Sequence, residues 1–156
     1  MKNKLISKGF TLIELLVVIS LIGILSTLVL ANLNAARERG RDAARKSDLK
    51  NIQTALRLYY NDYGKYPEND SAKKIMGCGV SGTTACNWDE PFSAGGQTYM
   101  STLPADPLSD LSYQYERIDL DTFTLKACLE NKSDDKGVFD QTAGWCPTKI
   151  VYTLTN

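Results

Sequence analysis

An uncharged apolar run from Leu15 to Leu33 constrains this chain more than any other feature of its sequence. The apolar residues of the run are interrupted only by Ser20, Gly23, Ser26, Thr27 and Asn32. About 20 apolar residues span the hydrocarbon of a bilayer as a helix, so the run predicts a membrane-spanning segment. Glu14 stands immediately before it. A carboxylate in that position is either solvated among the lipid headgroups or kept for a function.

The residues around Glu14 form a motif. The stretch Lys8-Gly9-Phe10-Thr11-Leu12-Ile13-Glu14, followed by the apolar run, resembles the cleavage and methylation motif of type IV prepilins and of the pseudopilins of type II secretion. The resemblance implies cleavage after Gly9 by a prepilin peptidase, N-methylation of the new terminus at Phe10, and a role for Glu14 in the register between subunits. A secretory signal peptide is the competing interpretation. Its apolar region should be about 7–15 residues long and end at a small-x-small site, and this run does not fit that pattern.

Elementary electrostatics supports the role implied for Glu14. Cleavage would create an α-amine at Phe10 that is largely cationic at neutral pH. An unpaired charge is costly in apolar surroundings, so the Glu14 carboxylate of a neighbouring subunit would be a suitable partner for that amine. The same helix could then serve first as a membrane anchor and later as the contact between subunits, because lipid and a helical bundle are both apolar.

The sequence predicts four segments. They are a basic leader (residues 1–9), a membrane-spanning and polymerising half of a long helix (10–33), an amphipathic half of the same helix (34–63) and a globular head (64–156). The amphipathic half has a stripe at spacings of three and four, formed by Leu49, Ile52, Leu56, Tyr59 and Tyr63. No proline occurs between Glu14 and Tyr63, and Gly64 and Pro67 predict the end of the helix.

The head is predicted to contain an antiparallel sheet of three strands. Apolar and polar residues alternate over residues 112–117 and 122–129, and residues 149–155 are rich in β-branched and aromatic side chains. Residues 68–102 are predicted to be a loop, with one short helix around residues 71–76, that Trp88 and Phe92 pin to the domain. The fold class is therefore α+β, with one long helix packed on a small sheet, and the resemblance implies the type IV pilin-like fold. Residues 59–67 and 103–107 also resemble segments of major pseudopilins.

Charge and cysteine content indicate on which side of the membrane each part of the chain lies. Lys2, Lys4 and Lys8 precede the apolar run, which favours a cytoplasmic N-terminus and an exported head. Residues 37–57 hold seven basic and three acidic side chains, whereas residues 58–156 hold eight basic and fourteen acidic ones. This acidic head argues against nucleic-acid binding. All four cysteines lie in the presumed exported part, as in proteins of oxidising compartments.

Four cysteines allow three pairings, and free thiols remain an alternative. We favour Cys78 with Cys86, which would close a small surface loop, and Cys128 with Cys146, a pair that resembles the C-terminal disulfide loop of many pilins. The chain has no histidine and no nucleophile with a plausible base, which argues against an enzyme. Oxygen ligands gather in residues 130–140, and the resemblance to calcium-binding major pseudopilins makes Asp134, Asp135 and Asp140 candidate calcium ligands. The alternative is a solvated acidic loop without any cofactor.

The function implied by the resemblance is that of a structural subunit of a pilus-like filament. Such a subunit would be held in the inner membrane, matured by prepilin peptidase and built into a homopolymer by an assembly platform and its ATPase. Three functions stay open at this point. They are a major pilus subunit, a major pseudopilin of type II secretion, and a minor tip pilin that binds a surface or DNA.

Overall fold

The computed structural model describes residues 9–156, and of residues 28–31 it describes the backbone alone. The predicted leader, up to residue 8, lies outside the described residues. The chain divides into two compact units, one ending at Arg37 and the other beginning at Glu38.

One α-helix, α1 (Leu12–Tyr63), contains the apolar run and the amphipathic stripe, as predicted. It ends where the sequence indicates. Gly64 adopts a φ of +63°, and its amide donates a hydrogen bond to the carbonyl of Tyr60 at 2.8 Å. Glycine is favoured in this left-handed conformation because it has no Cβ, and Pro67 prevents any further helix. The chain then turns into the head.

The head contains eight short strands in three antiparallel sheets. A four-stranded sheet has the order β5-β6-β8-β7, and β1 pairs with β2 and β3 with β4. The bounds are β1 Met76–Cys78, β2 Thr84–Ala85, β3 Phe92–Ala94, β4 Gln97–Met100, β5 Gln114–Arg117, β6 Phe123–Cys128, β7 Val138–Phe139 and β8 Ile150–Thr155. The three predicted strands correspond to β5, β6 and β8. The prediction of only three strands was wrong because β7 adds an edge of two residues.

Two predictions for residues 68–102 were also wrong. No helix forms around residues 71–76: Lys73 has a φ of +59°, which is incompatible with a right-handed helix, and β1 begins at Met76. The supposed loop instead contains two hairpins. The β3–β4 hairpin turns at Gly95 and Gly96, whose φ values of +59° and +85° suit the tight two-residue turn that matches strand twist.

The core of the head lies between α1 and the four-stranded sheet. Leu49, Ile52 and Leu56 are fully buried, and the inward residues of β6, which are Phe123, Leu125 and Ala127, are buried as well. Burying a side chain of this size contributes roughly 1.5–3 kcal/mol, so this face holds α1 from Glu38 onward to its own head. The last member of the predicted stripe is an exception. Tyr63 is 42% exposed and stacks on Tyr59 with ring centroids 4.3 Å apart.

Two disulfides close the parts of the head that contain little regular structure. Cys78 is bonded to Cys86 and Cys128 to Cys146, the two pairs that the sequence favoured. The first joins β1 to the residue after β2, and Phe92 and Trp88 pack in the core beside it, as predicted. The second joins the end of β6 to the C-terminal tail and forms a small apolar cluster with Ala143 and Val151.

Candidate functional site

The first half of α1 has an apolar surface that no part of its own unit covers. Every large apolar side chain described between Phe10 and Leu33 is exposed, from 41% for Leu33 to 86% for Phe10. Within the described residues, this is the one helix long and apolar enough to cross a membrane. A water-soluble surface rarely has so large an apolar patch, so this segment requires lipid or other protein around it.

The three hydroxyl side chains between Leu15 and Leu33 donate hydrogen bonds to the backbone of their own helix. The hydroxyl of Ser20 donates to the carbonyl of Val17, Ser26 to Ile22 and Thr27 to Ile24, at 2.7–2.8 Å. Hydroxyls that bond to their own helix backbone carry little desolvation cost into an apolar environment. Between Leu15 and Thr27, the outer surface of the segment is thus apolar.

Glu14, the carboxylate at the start of this segment, caps α1. Glu14 Oε2 accepts hydrogen bonds from the backbone amide of Thr11 at 2.8 Å and from its hydroxyl at 2.7 Å. The Glu14 amide in turn donates to Thr11 Oγ1 at 3.3 Å, which completes a capping box around the first turn. Helix α1 therefore begins at Leu12, and Gly9 and Phe10 lie outside it in non-helical backbone. Neither hydrogen bond to the carboxylate uses Oε1.

A buried ion-pair cluster lies on α1 close to the start of the second unit, which begins at Glu38. Arg45 is completely buried, and its guanidinium donates two hydrogen bonds to Asp106, both at 2.8 Å. A third hydrogen bond joins Arg45 to Asp42, one turn earlier on the helix, at 2.8 Å. Asp106 comes from the segment between the helix exit and the four-stranded sheet, so Arg45 ties that segment to the helix.

Glu130, just after β6, extends this cluster to the sheet. It accepts a hydrogen bond from Arg45 at 2.7 Å and two from Arg41, donated by Nε and Nη2. Asp42 also accepts the backbone amides of Glu130 and Asn131, at 2.9 and 2.8 Å. Two guanidinium groups thus face three carboxylates, and the two amides offset the excess negative charge. Every partner is satisfied, which is the condition for a stable buried charge.

The pKa values in the cluster follow from this arrangement. Burial alone would lower the pKa of Arg45, but its hydrogen bonds to Asp106, Glu130 and Asp42 raise the pKa above its ordinary value. The hydrogen bond from Arg41 lowers the pKa of Glu130, and the bond from Arg45 adds to the effect against the opposing influence of burial. Arg45 and Glu130 are therefore ionised at neutral pH.

A second contact between α1 and the tail involves the predicted calcium loop. Lys46 donates to both carboxylate oxygens of Asp134, each at 2.6 Å. Asp140 accepts the amide and the hydroxyl of Thr142, and Asp135 is exposed. Over residues 9–156, no three acidic, cysteine or histidine side chains form a group that could hold a metal ion. The three candidate calcium ligands are therefore not brought together.

The Arg45 cluster was not predicted from the sequence. From the sequence, Arg45 and Asp42 are simply part of the charged stretch of residues 37–57, and Glu130 is one of the oxygen ligands gathered in residues 130–140. A weak signal was present: Arg41 and Asp42 stand four and three residues before Arg45 on a predicted helix, and each of these spacings permits contact with Arg45 on one face. Their partners Asp106 and Glu130 are 61 and 85 residues away from Arg45, and sequence spacing carries no information over that distance.

Two family models match the chain. The model described as the prokaryotic N-terminal methylation motif matches residues 6–30, which include Gly9, Phe10 and Glu14. The model described as type II secretion system (T2SS), protein G, matches residues 32–126. Together they cover α1 and the head as far as β6, and leave the acidic loop and the C-terminal tail outside the matched residues.

The similar proteins include several named type II secretion system core protein G. The one from Pectobacterium carotovorum is 33% identical over 100 residues, which are 64% of this chain and 61% of the relative. The one from Vibrio cholerae is 31% identical over 131 residues, 81% of this chain and 85% of the relative. A further relative is the type IV wide pilus major component PilA4 of Thermus thermophilus, 36% identical over 93 residues, 60% of this chain and 70% of the relative.

Coverage of the relatives is incomplete. The chain spans 61% of the Pectobacterium protein and 66% of the protein from Aeromonas hydrophila, less than two thirds of each. No solved structure gave a significant match to the chain.

Proposed function

The chain belongs to the type II secretion system protein G family, and from this premise we propose that it is a structural subunit of a pilus-like filament rather than an enzyme. It is held in the inner membrane by residues 10–33, with its N-terminus cytoplasmic and its head exported. It then passes into a helical homopolymer with the help of an assembly platform and its ATPase.

The observation that carries this proposal is the uncovered apolar surface of the first unit. The large apolar side chains that the structure describes between Phe10 and Leu33 are exposed, whereas the second unit buries its own apolar stripe. Lipid satisfies such a surface before assembly, and the same segments of other subunits satisfy it afterwards. Because both environments are apolar, transfer between them costs little, and close packing supplies the gain.

Maturation is proposed to occur between Gly9 and Phe10. This bond lies in non-helical backbone because the Thr11–Glu14 capping box starts the helix at Leu12. The capping box uses groups from Thr11 onward, so it would survive cleavage. The carboxylate also keeps Oε1 for another donor, and we assign that role to the methylated α-amine of Phe10 on a neighbouring subunit.

Substitution of Glu14 by glutamine tests the assignment. Glutamine can still accept the Thr11 bonds of the capping box, so Glu14→Gln removes the charge and retains the helix start. We expect the variant to stay in the membrane at normal abundance and to yield at least roughly tenfold less sheared filament, because the amine is left without its counter-ion. Glu38→Gln makes the same change beyond the apolar run and should assemble as the wild type does. Normal filaments from Glu14→Gln would refute the registry role.

The family match favours a major pseudopilin of type II secretion as the kind of filament subunit, and a second candidate is the major subunit of a surface pilus. The similarity to the Thermus wide-pilus component and the two head disulfides favour it. The two candidates predict different locations. A pilus subunit would be abundant in surface material released by shearing, whereas a pseudopilin would remain with the cell envelope, and deletion would then impair protein secretion. The comparisons lend no support to the minor tip pilin.

A further inference from the structure

The acidic loop of residues 130–140 is the part of the head where the family resemblance implies calcium. Calcium needs six to eight oxygen ligands at about 2.3–2.6 Å, mainly free carboxylates and carbonyls. The residues present do not fit that need, because hydrogen-bond donors of the protein already engage two of the three candidate carboxylates. Asp140 caps its own turn through Thr142, and Asp134 is engaged by Lys46.

Lys46 approaches Asp134 as a bound cation would. Its ammonium lies 2.6 Å from each carboxylate oxygen, on the bisector side where a bidentate metal ion would sit, and 5.9 Å from the ring centroid of Tyr152. Asp134 Oδ1 also accepts the amide of Lys136 at 2.9 Å. The Asp134 side chain is 12% exposed and the Lys46 side chain 23% exposed, so this pair is shielded more than an ordinary surface ion pair.

The start of the same loop is held by a second cationic contact from α1. Glu130 is bound by Arg41 and Arg45, and the amides of Glu130 and Asn131 are bound by Asp42. The loop is therefore attached to the helix at both residues 130–131 and residue 134. All of these attachments use groups of the chain itself.

We propose that Lys46 is the resident cation of the acidic loop, and that the head orders this loop against α1 without calcium. The inference goes beyond the proposed function, since it concerns how one loop of the head is held and is independent of filament assembly. It follows that a chelator leaves the loop in place and that loss of the Lys46 ammonium releases it.

Limited trypsin digestion of the full-length mature protein in detergent tests the proposal. Lys132 and Lys136 are exposed trypsin sites on either side of Asp134. The Cys128–Cys146 disulfide spans both sites, so the fragments must be counted after reduction. We expect wild-type protein to be cut at the same rate in millimolar calcium chloride and in excess chelator. Lys46→Met should be cut roughly fivefold faster, since a shielded ion pair of ordinary strength no longer closes the loop.

Lys50→Met is the matched control. Lys50 is exposed one turn later on α1, and within the described residues its ammonium makes no ion pair. This variant should be cut at the wild-type rate. If calcium slowed the cutting of wild-type protein several-fold, that result alone would overturn the proposal. Equal cutting of Lys46→Met and Lys50→Met would also overturn it.

Discussion

The two halves of helix α1 differ in where their apolar side chains find partners. In the first half, Leu21 is 54% exposed and Leu25 is 61% exposed, whereas Leu49 and Leu56 in the second half are fully buried by the sheet. The hydrophobic effect acts equally on all four, so the difference lies in what surrounds them. In the second half, the head of the same chain covers the apolar side chains. In the first half, the apolar side chains need lipid or other copies of the chain to cover them.

The two halves also treat charge differently. The first half has one carboxylate, Glu14, whose hydrogen bonds within the described residues all go to Thr11, three residues before it. The second half buries Arg45 among three carboxylates and adds Arg41 to the network. A charge with local bonds alone remains free to meet another subunit, whereas a fully satisfied network fixes the helix to one head. Variants that change one half and leave the other intact can therefore test this difference.

The largest expected effect is on the Arg45 cluster. Arg45→Met removes the guanidinium and leaves Asp42, Asp106 and Glu130 without their shared counter-ion. Breaking a buried ion pair from one side costs about 3–5 kcal/mol, so the free energy of unfolding of the head should fall by that amount. Trp88 and Trp145 both lie in the head, so tryptophan fluorescence in a urea titration reports on this unit alone. A loss below about 1 kcal/mol would show that the cluster does not hold the head to the helix.

A pair of leucine truncations compares the two halves directly. Leu56→Ala creates a cavity in the core, and we expect a loss of about 2–5 kcal/mol in the free energy of unfolding. Leu21→Ala makes the same chemical change on the exposed segment and should alter head stability by less than about 0.5 kcal/mol. Filament yield should show the opposite order: among molecules that remain folded, Leu21→Ala should lower the yield more than Leu56→Ala does. If Leu21→Ala destabilised the head as Leu56→Ala does, the two halves would not be independent.

Removal of the Cys128–Cys146 disulfide should have the next largest effect. The bond closes a separation of 18 residues, for which the chain-entropy model gives about 3 kcal/mol. Cys128→Ala combined with Cys146→Ala should lower the urea midpoint accordingly. The Cys78–Cys86 bond closes 8 residues, and its removal should cost slightly less, about 2.5 kcal/mol. An unchanged midpoint in the first double variant would mean that the tail packs equally well without its bond.

The smallest effect is a dependence on pH. The pKa of Glu130 is lowered by Arg41, and that of Asp134 is lowered because Lys46 and backbone amides outweigh burial. The unfolded chain therefore binds more protons than the folded head below about pH 4, and stability should fall as the pH drops through the lowered pKa values. Glu130→Gln should flatten this slope in urea titrations at several pH values. Asp135→Asn, at an exposed site in the same loop, is the control and should keep the slope.

The sequence predicted those parts of the fold that depend on local periodicity. Leu49, Ile52, Leu56 and Tyr59 recur at helical spacing, and Phe123, Leu125 and Ala127 alternate, so α1 and β6 followed directly. The strands β1 to β4 were missed because each has two to four residues, too few for a pattern. Their pairing depends on the Cys78–Cys86 bond and the Gly95-Gly96 turn.

The candidate site divides in the same way. The motif at Gly9, Phe10 and Glu14 is contiguous, so it could be recognised from the sequence. The partners of Arg45 are distant in sequence, and a charged residue on an amphipathic helix is more often solvated than buried. Lys46 was missed for the same reason: its distance to Asp134 depends on how β6 and the tail fold back onto α1.

The central claim is that the first half of α1 is processed and completed by other molecules, while the head is closed by its own bonds. Intact mass spectrometry of the protein from sheared surface material and from membranes, without reduction, tests both parts together. We expect a chain that begins at methylated Phe10 and is four hydrogens lighter than its thiol form, one pair for each disulfide. An unprocessed chain that begins at Met1 in both fractions would contradict it.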